Sequence, residues 1–120
     1  MQRSIKMLVK SLATAPSYEA PNHRLIDSVR LLGFEPDGPT NFWVGHSTVH
    51  PGGNVGPDAS PIEKVYVVLT GKITVTSGGK TRDLGPMDAC RIPPNETREF
   101  INREPTAAML LVIMPYPPAA

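Results

Sequence analysis

The chain has 120 residues, enough for one domain with its own core. Its 12 lysines and arginines stand against 11 acidic residues, giving a formal net charge of +1 with no block of either sign, which excludes the clustered cationic footprint of a nucleic-acid binder. The single cysteine, Cys90, excludes an internal disulfide, and no apolar run approaches the length of a membrane span.

Lys10 interrupts the apolar stretch behind Arg3 and Lys6, so no secretory signal is expected and a cytoplasmic location is the default. Fourteen prolines and ten glycines, spread among short apolar runs, predict frequent turns in an all-β fold. Residues 3–12 are a candidate edge strand or swapped arm. Arg24 to Leu32 alternates enough for a strand, and His23, after Ala20-Pro21-Asn22, begins it or caps an end of the fold. Phe42 to His50 is predicted as a strand closed by a turn at Pro51-Gly52-Gly53, followed by a polar loop over 54–61.

Lys64 to Thr70 (KVYVVLT) is rich in β-branched residues. Lys72 to Thr76 and Thr81 to Leu84 form a hairpin around Ser77-Gly78-Gly79-Lys80. Short strands follow at 88–92, 98–102 and 108–114, set off by Pro93-Pro94 and a polar loop. Strands at roughly ten-residue spacing predict a β-sandwich or small barrel.

The stretch from Pro51 to Pro115 resembles the cupin superfamily. Of that family's first motif, both glycines fall at the right spacing on Gly52 and Gly71. The ligand positions between them fall on Asp58, Ser60 and Lys64. Of the second motif, Pro93 and Asn102 match, Asn95 stands where glycine is usual, and the ligand position falls on Arg98. The resemblance implies a single small domain over residues 1–120. Its fold would be a cupin-type antiparallel β-barrel (a double-stranded β-helix, or jelly roll), with N-terminal strands or an arm in 1–40 and the barrel core in 42–115.

In the resembling family three histidines and a glutamate hold a divalent metal inside the barrel. All four positions are changed here. Lys64 and Arg98 are cations that repel a metal ion, so no metal cofactor is expected. Strand parity puts Lys64, Tyr66 and Val68 on one face, and Arg98, Phe100 and Asn102 on one face. Two interior cations call for a partner, either a carboxylate such as Asp58 or Glu63 or a small anionic ligand.

The favoured reading is a metal-independent lyase, isomerase or cyclase. Lys64 and Arg98 would polarise the substrate, with Lys64 also a candidate base or Schiff-base amine, while Tyr66 or His46 moves a proton. Asp58, Ser60, His50 and Asn102 complete the candidate binding set.

His46 and His50 share one strand face with Thr48. The competing assignment turns Trp43, Gly45, Ser47 and Val49 inward and both histidines outward. Two other classes stand beside the enzyme: a non-catalytic module for a sugar or organic acid, and a metal-dependent oxygenase using His46, His50, Glu63 and Asp58. The expected partner is a small molecule, with no nucleic acid and no membrane. A homodimer is expected because Val65, Val67 and Leu69 form a second apolar face.

Overall fold

The computed structural model describes residues 7–118. Nine strands make one antiparallel sheet: β1 (Ser17–Tyr18), β2 (His23–Leu32), β3 (Trp43–Asp58), β4 (Lys64–Thr70), β5 (Ile73–Ser77), β6 (Lys80–Leu84), β7 (Ala89–Ile92), β8 (Arg98–Ile101) and β9 (Ala108–Met114). The main hydrogen-bonded path runs β6-β5-β8-β3-β9-β4-β7, with β2 added to β3 and β1 to β2. The sheet curls until its two edges, β6 and β7, line the walls of one groove. The result is an antiparallel jelly-roll barrel with one open seam. Among the described residues no helix is long and apolar enough to cross a membrane.

Two sequence expectations are corrected. Residues 3–6 of the predicted edge strand lie outside the described residues. The remainder is irregular and leads into a short 3-10 turn at Leu12–Thr14, with Met7 and Val9 exposed. The second correction concerns Pro51-Gly52-Gly53 and the predicted loop after it. There β3 does not stop: it runs 16 residues, pairing β9 over 43–49 and β8 over 54–58.

Glycine makes that continuation possible. Gly52 and Gly56 take φ of 80°, a left-handed conformation that bends the strand without ending it. The backbone ladder persists across the bend, because the Gly52 N–H donates to the Asn102 carbonyl and the Asn102 N–H to the Gly53 carbonyl, both at 2.9 Å. A Cβ on Gly56 would sit 2.5 Å from the Arg98 carbonyl oxygen, so only glycine lets β3 and β8 approach this closely.

Period-two alternation then sorts the side chains. Tyr66, Val68, Phe100 and Asn102 are buried as parity predicts, with Lys64 half-buried on the same face as Tyr66. In β3 the inward set is Trp43, Gly45, Ser47 and Val49. Ser47 is an unusual interior residue, and its hydroxyl is satisfied by the Ser28 hydroxyl of β2 at 2.9 Å. One end of the interior is filled by Val49, Val55, Val68, Ile73, Val75 and Ala108. Burying each larger aliphatic chain there contributes about 1.5–3 kcal/mol. The opposite end is left open, and the polar side chains converge on it.

Candidate functional site

A cavity of about 190 Å³ occupies the open end of the barrel. Lys64 and Tyr66 enter it from β4, Arg98 and Phe100 from β8, Trp43 and Ser47 from β3, and His23 from the start of β2. Leu110, Val112 and Met114 of β9 give it an apolar wall. A few convergent polar groups on an apolar lining are the usual make-up of a small-molecule site.

Arg98 is 5% exposed. Its Nε donates to the Tyr66 hydroxyl at 3.1 Å and its Nη1 to the Asp58 carbonyl at 3.4 Å. Because the Tyr66 oxygen accepts from Arg98, its own proton is free to be donated into the cavity. Burial raises the Tyr66 pKa above the usual phenol value, against the opposing pull of Arg98, so Tyr66 is a donor at neutral pH.

Burial lowers the Lys64 pKa. The nearby Arg98 lowers it further and Asp58 opposes both. Among the described residues no carboxylate lies within 4.0 Å of either cation. The internal ion pair with Asp58 or Glu63 is therefore not formed. Glu63 faces outward and binds Arg91.

His23 joins the set although it stood outside the predicted site residues. Its Nδ1 lies 2.8 Å from the Pro21 carbonyl oxygen. A carbonyl can only accept, so Nδ1 carries the proton and Nε2 is the bare nitrogen. Burial lowers the His23 pKa, its bond to Pro21 works against that, and Arg98 and Lys64 add repulsion that Asp58 partly offsets. The only sequence signal for it was the turn at Ala20-Pro21-Asn22.

The other predicted residues separate into three groups. Asp58 and Ser60 line a water-sized crevice of about 10 Å³ that shares Lys64 and Arg98 with the main cavity and also holds Glu96. The Ser60 hydroxyl accepts from the Ile62 N–H at 3.1 Å and fixes the turn before β4. Asn102 is fully buried but is not part of the cavity lining. Its Nδ2 donates to the Val49 and Thr106 carbonyls and its Oδ1 accepts from the Glu104 N–H, each at 2.9 Å, so it clamps the β8–β9 loop.

His46 and His50 face away from the cavity, since Ser47 and Val49 take the inward positions between them. His46 is covered on the outer face beside Val29 and Leu111, where burial lowers its pKa. His50 Nε2 pairs with the Asp27 carboxylate at 2.7 Å at the surface.

The family's four ligand positions hold a carboxylate, a hydroxyl and two cations, and this set does not fit a divalent ion. The alternative set of His46, His50, Glu63 and Asp58 is split across both faces of the barrel. Among the described residues no cluster of three or more His, Cys, Asp or Glu could hold a metal. Cys90 is half-buried and burial raises its pKa, which makes it a poor nucleophile. A larger groove of about 510 Å³ follows the open seam. Its lining mixes Lys80, Arg82 and Arg91 with Asp83, Asp88 and Glu96, so opposite charges offset each other and nothing converges.

Residues 45–114 match the family model described as the Cupin domain. The chain belongs to the cupin family. It is 38% identical over 113 residues to a protein named Beta-D-galactosidase Rv1717 from Mycobacterium tuberculosis (strain ATCC 25618 / H37Rv), a match covering 94% of this chain and 97% of that one.

The fold is similar to that of the polyketide cyclase RemF from Streptomyces resistomycificus, with a TM-score of 0.80 and 24% identity over 92% of this chain and 80% of that one. It is also similar to a predicted oxalate decarboxylase from Thermotoga maritima, with a TM-score of 0.76 and 18% identity over 92% of this chain and all of that one, 100%. At these identities the two structures attest to the barrel alone.

Proposed function

We propose that this cupin is a small enzyme that draws a small anionic organic molecule into the barrel and acts on it without a metal, as a lyase, isomerase or cyclase. One observation carries the reading. Lys64 and Arg98 face a partly enclosed cavity with no carboxylate within 4.0 Å among the described residues. Half-buried and buried cations without a directly paired carboxylate are unfavourable, and an anion in the cavity reduces that cost beyond what Asp58 supplies from the adjoining crevice. Arg98 is held in place by Tyr66 and the Asp58 carbonyl, so its charge is preorganised. Two fixed cations can bind a carboxylate or hold the oxyanion of an enolate, and Tyr66 can donate to it.

Thermal-shift titration with pyruvate, galacturonate and galactose 6-phosphate tests the reading. At a hundredfold excess over Kd a true ligand adds about 2.7 kcal/mol of stability. Lys64→Met and Arg98→Met are each expected to reduce the shift by half or more while leaving the free protein folded. If both variants melt higher than the wild type and the ligand shifts are unchanged, the cavity is not an anion site.

The relative named a β-D-galactosidase favours a second reading, in which the cavity takes a galactoside. Such hydrolysis ordinarily uses two carboxyl groups flanking the bond. Here Asp58 and Glu96 share only the adjoining crevice. Nitrophenyl β-D-galactoside hydrolysis that is lost in both Asp58→Asn and Glu96→Gln would select this reading over the first.

The second apolar face is proposed as a homodimer contact. Val65 and Val67 of β4 lie beside Ile113 and Leu111 of β9 on the outside of the barrel. Sizing chromatography with Val67→Asp checks it.

A further inference from the structure

We infer that His23 is the proton-transfer group of the cavity: its bare Nε2 takes a proton from a carbon next to a carbonyl of the bound anion, while Lys64 and Arg98 hold the oxyanion that forms. This rests on the anion-site reading above and narrows it to proton abstraction next to a carbonyl.

The backbone delivers His23 by a specific device. Ile26 pairs with Val49 and Ser28 with Ser47, so the even positions of β2 face inward. Unbroken alternation would then turn Arg24 into the barrel and His23 out. The register instead slips between Arg24 and Ile26, at Leu25. Leu25 has φ of 57°, a left-handed conformation that is a genuine outlier for a branched side chain. Between the Arg24 and Ile26 pairs β2 advances two residues and β3 five, from Val49 to Asn54, and an odd offset of this kind exchanges the two faces of a strand. Beyond it His23 pairs with Val55, a fully buried interior residue, and Arg24 is exposed.

A second left-handed residue, Asn22 at φ 58°, precedes His23, and the Asn22 carbonyl is anchored by the Gly56 N–H at 2.9 Å. Asn accepts that conformation readily, so the strain near His23 is held at Leu25, and such outliers cluster at functional positions. The Pro21 carbonyl then fixes the tautomer with Nε2 unprotonated, and Nε2 has no hydrogen-bond partner among the described residues.

The charged and titratable groups facing His23 are Arg98 from β8, Lys64 from β4 and Asp58 from β3. Tyr66 from β4 and Tyr18 from β1 line the same cavity. Two cations against one carboxylate favour the neutral imidazole, which is the form a base requires.

The step balances without a co-reactant. The C–H bond breaks and an Nε2–H bond forms. The C–H electron pair becomes the enolate C=C bond, and the carbonyl π pair moves onto oxygen between Lys64 and Arg98. In an isomerisation the imidazolium returns the proton to carbon.

Pyruvate is the probe, because it is an anion with exchangeable hydrogens next to a ketone. Its methyl signal in D2O is followed by NMR with wild type, His23→Gln and Lys64→Met. The wild type is expected to speed the loss of that signal. His23→Gln should slow it about 100-fold, the usual order for a lost general base, with its pyruvate Kd within about threefold of wild type. The wild-type rate should rise with pH through the His23 titration, and ¹⁵N NMR at pH 7 should show Nε2 unprotonated.

Exchange that persists in His23→Gln, or a proton found on Nε2, overturns the assignment and leaves the anion site standing. Absence of pyruvate binding to the wild type overturns the anion site and the assignment with it. Lys64→Met losing pyruvate binding supports the anion site, and His23→Gln keeping binding while losing exchange supports the assignment.

Discussion

The two ends of the barrel interior are built from the same strands and face opposite demands. At the filled end β4 contributes Val68, β8 runs on to Asn102, and every polar atom of the Asn102 amide has a backbone partner. At the open end the same strands contribute Lys64 and Arg98, which have no carboxylate within 4.0 Å among the described residues. The members of each pair stand only four positions apart in sequence. The comparison teaches that one set of strands can close its polar groups on backbone partners at the filled end and leave two cations without a paired carboxylate at the open end, which is the arrangement the proposed anion site requires.

Substitution at the filled end should produce the largest losses. Ile73→Ala is expected to cost about 3 kcal/mol, from lost transfer energy and the cavity left behind. Asn102→Leu should cost a similar ~3 kcal/mol, because three backbone groups, one of them fully buried at Val49, lose their partner. Urea melts with an unchanged m-value check both, and a loss under 1 kcal/mol in either would show that the filled end is softer than its packing suggests.

At the open end Arg98→Met should cost ligand affinity rather than fold. A loss of 10- to 100-fold in Kd, or about 1.4–2.8 kcal/mol, is expected by calorimetry. A variant that unfolds instead would erase the distinction between the two ends.

The pH dependence is the next smaller effect. Burial lowers the pKa of both His23 and His46. The unfolded chain then binds more protons than the folded one once pH falls below the ordinary histidine value of about 6.5. Stability is therefore full above that value and declines as pH drops toward the lowered folded pKa values. Melting temperatures at pH 7.5, 6.5 and 5.5 should fall in that order. A saturating anion should flatten the part that belongs to His23, because it offsets Arg98 and Lys64, and leave the His46 part unchanged.

The smallest effect is expected on the outside. His50 and Asp27 form an exposed pair, and His50→Gln should change stability by less than about 0.5 kcal/mol.

Much of this was legible in the sequence, and the gaps have physical causes. The β-branched run of β4, the hairpin glycines and the parity of 64-66-68 and 98-100-102 depend on local chemistry and read directly. The continuation of β3 through Pro51-Gly52-Gly53 did not, because the turn signal is local and the ladder that overrides it comes from Asn102, some fifty positions away. The facing of His46 and His50 stayed open because both faces of β3 carry polar residues. Ser47 settles it only through Ser28, which sequence does not place beside it. His23 was hidden for a sharper reason: simple alternation from Ser28 points it outward, and the slip that reverses this lies opposite Pro51-Gly52-Gly53 of β3, with nothing in β2 itself to announce it.

The unbroken course of β3 has a kinetic corollary. Its first half is flanked by β2 and β9 and its second by β2 and β8, so its amides lie between neighbours on both sides. β6 and β7 each have a single neighbour. Peptide hydrogens of β3 at 44–49 should then exchange with solvent only when the whole domain opens, while those on the free sides of β6 and β7 exchange by fraying. One ribbon that crosses from the clamp at Asn102 to the wall of the cavity ties the lifetime of the pocket to the lifetime of the fold.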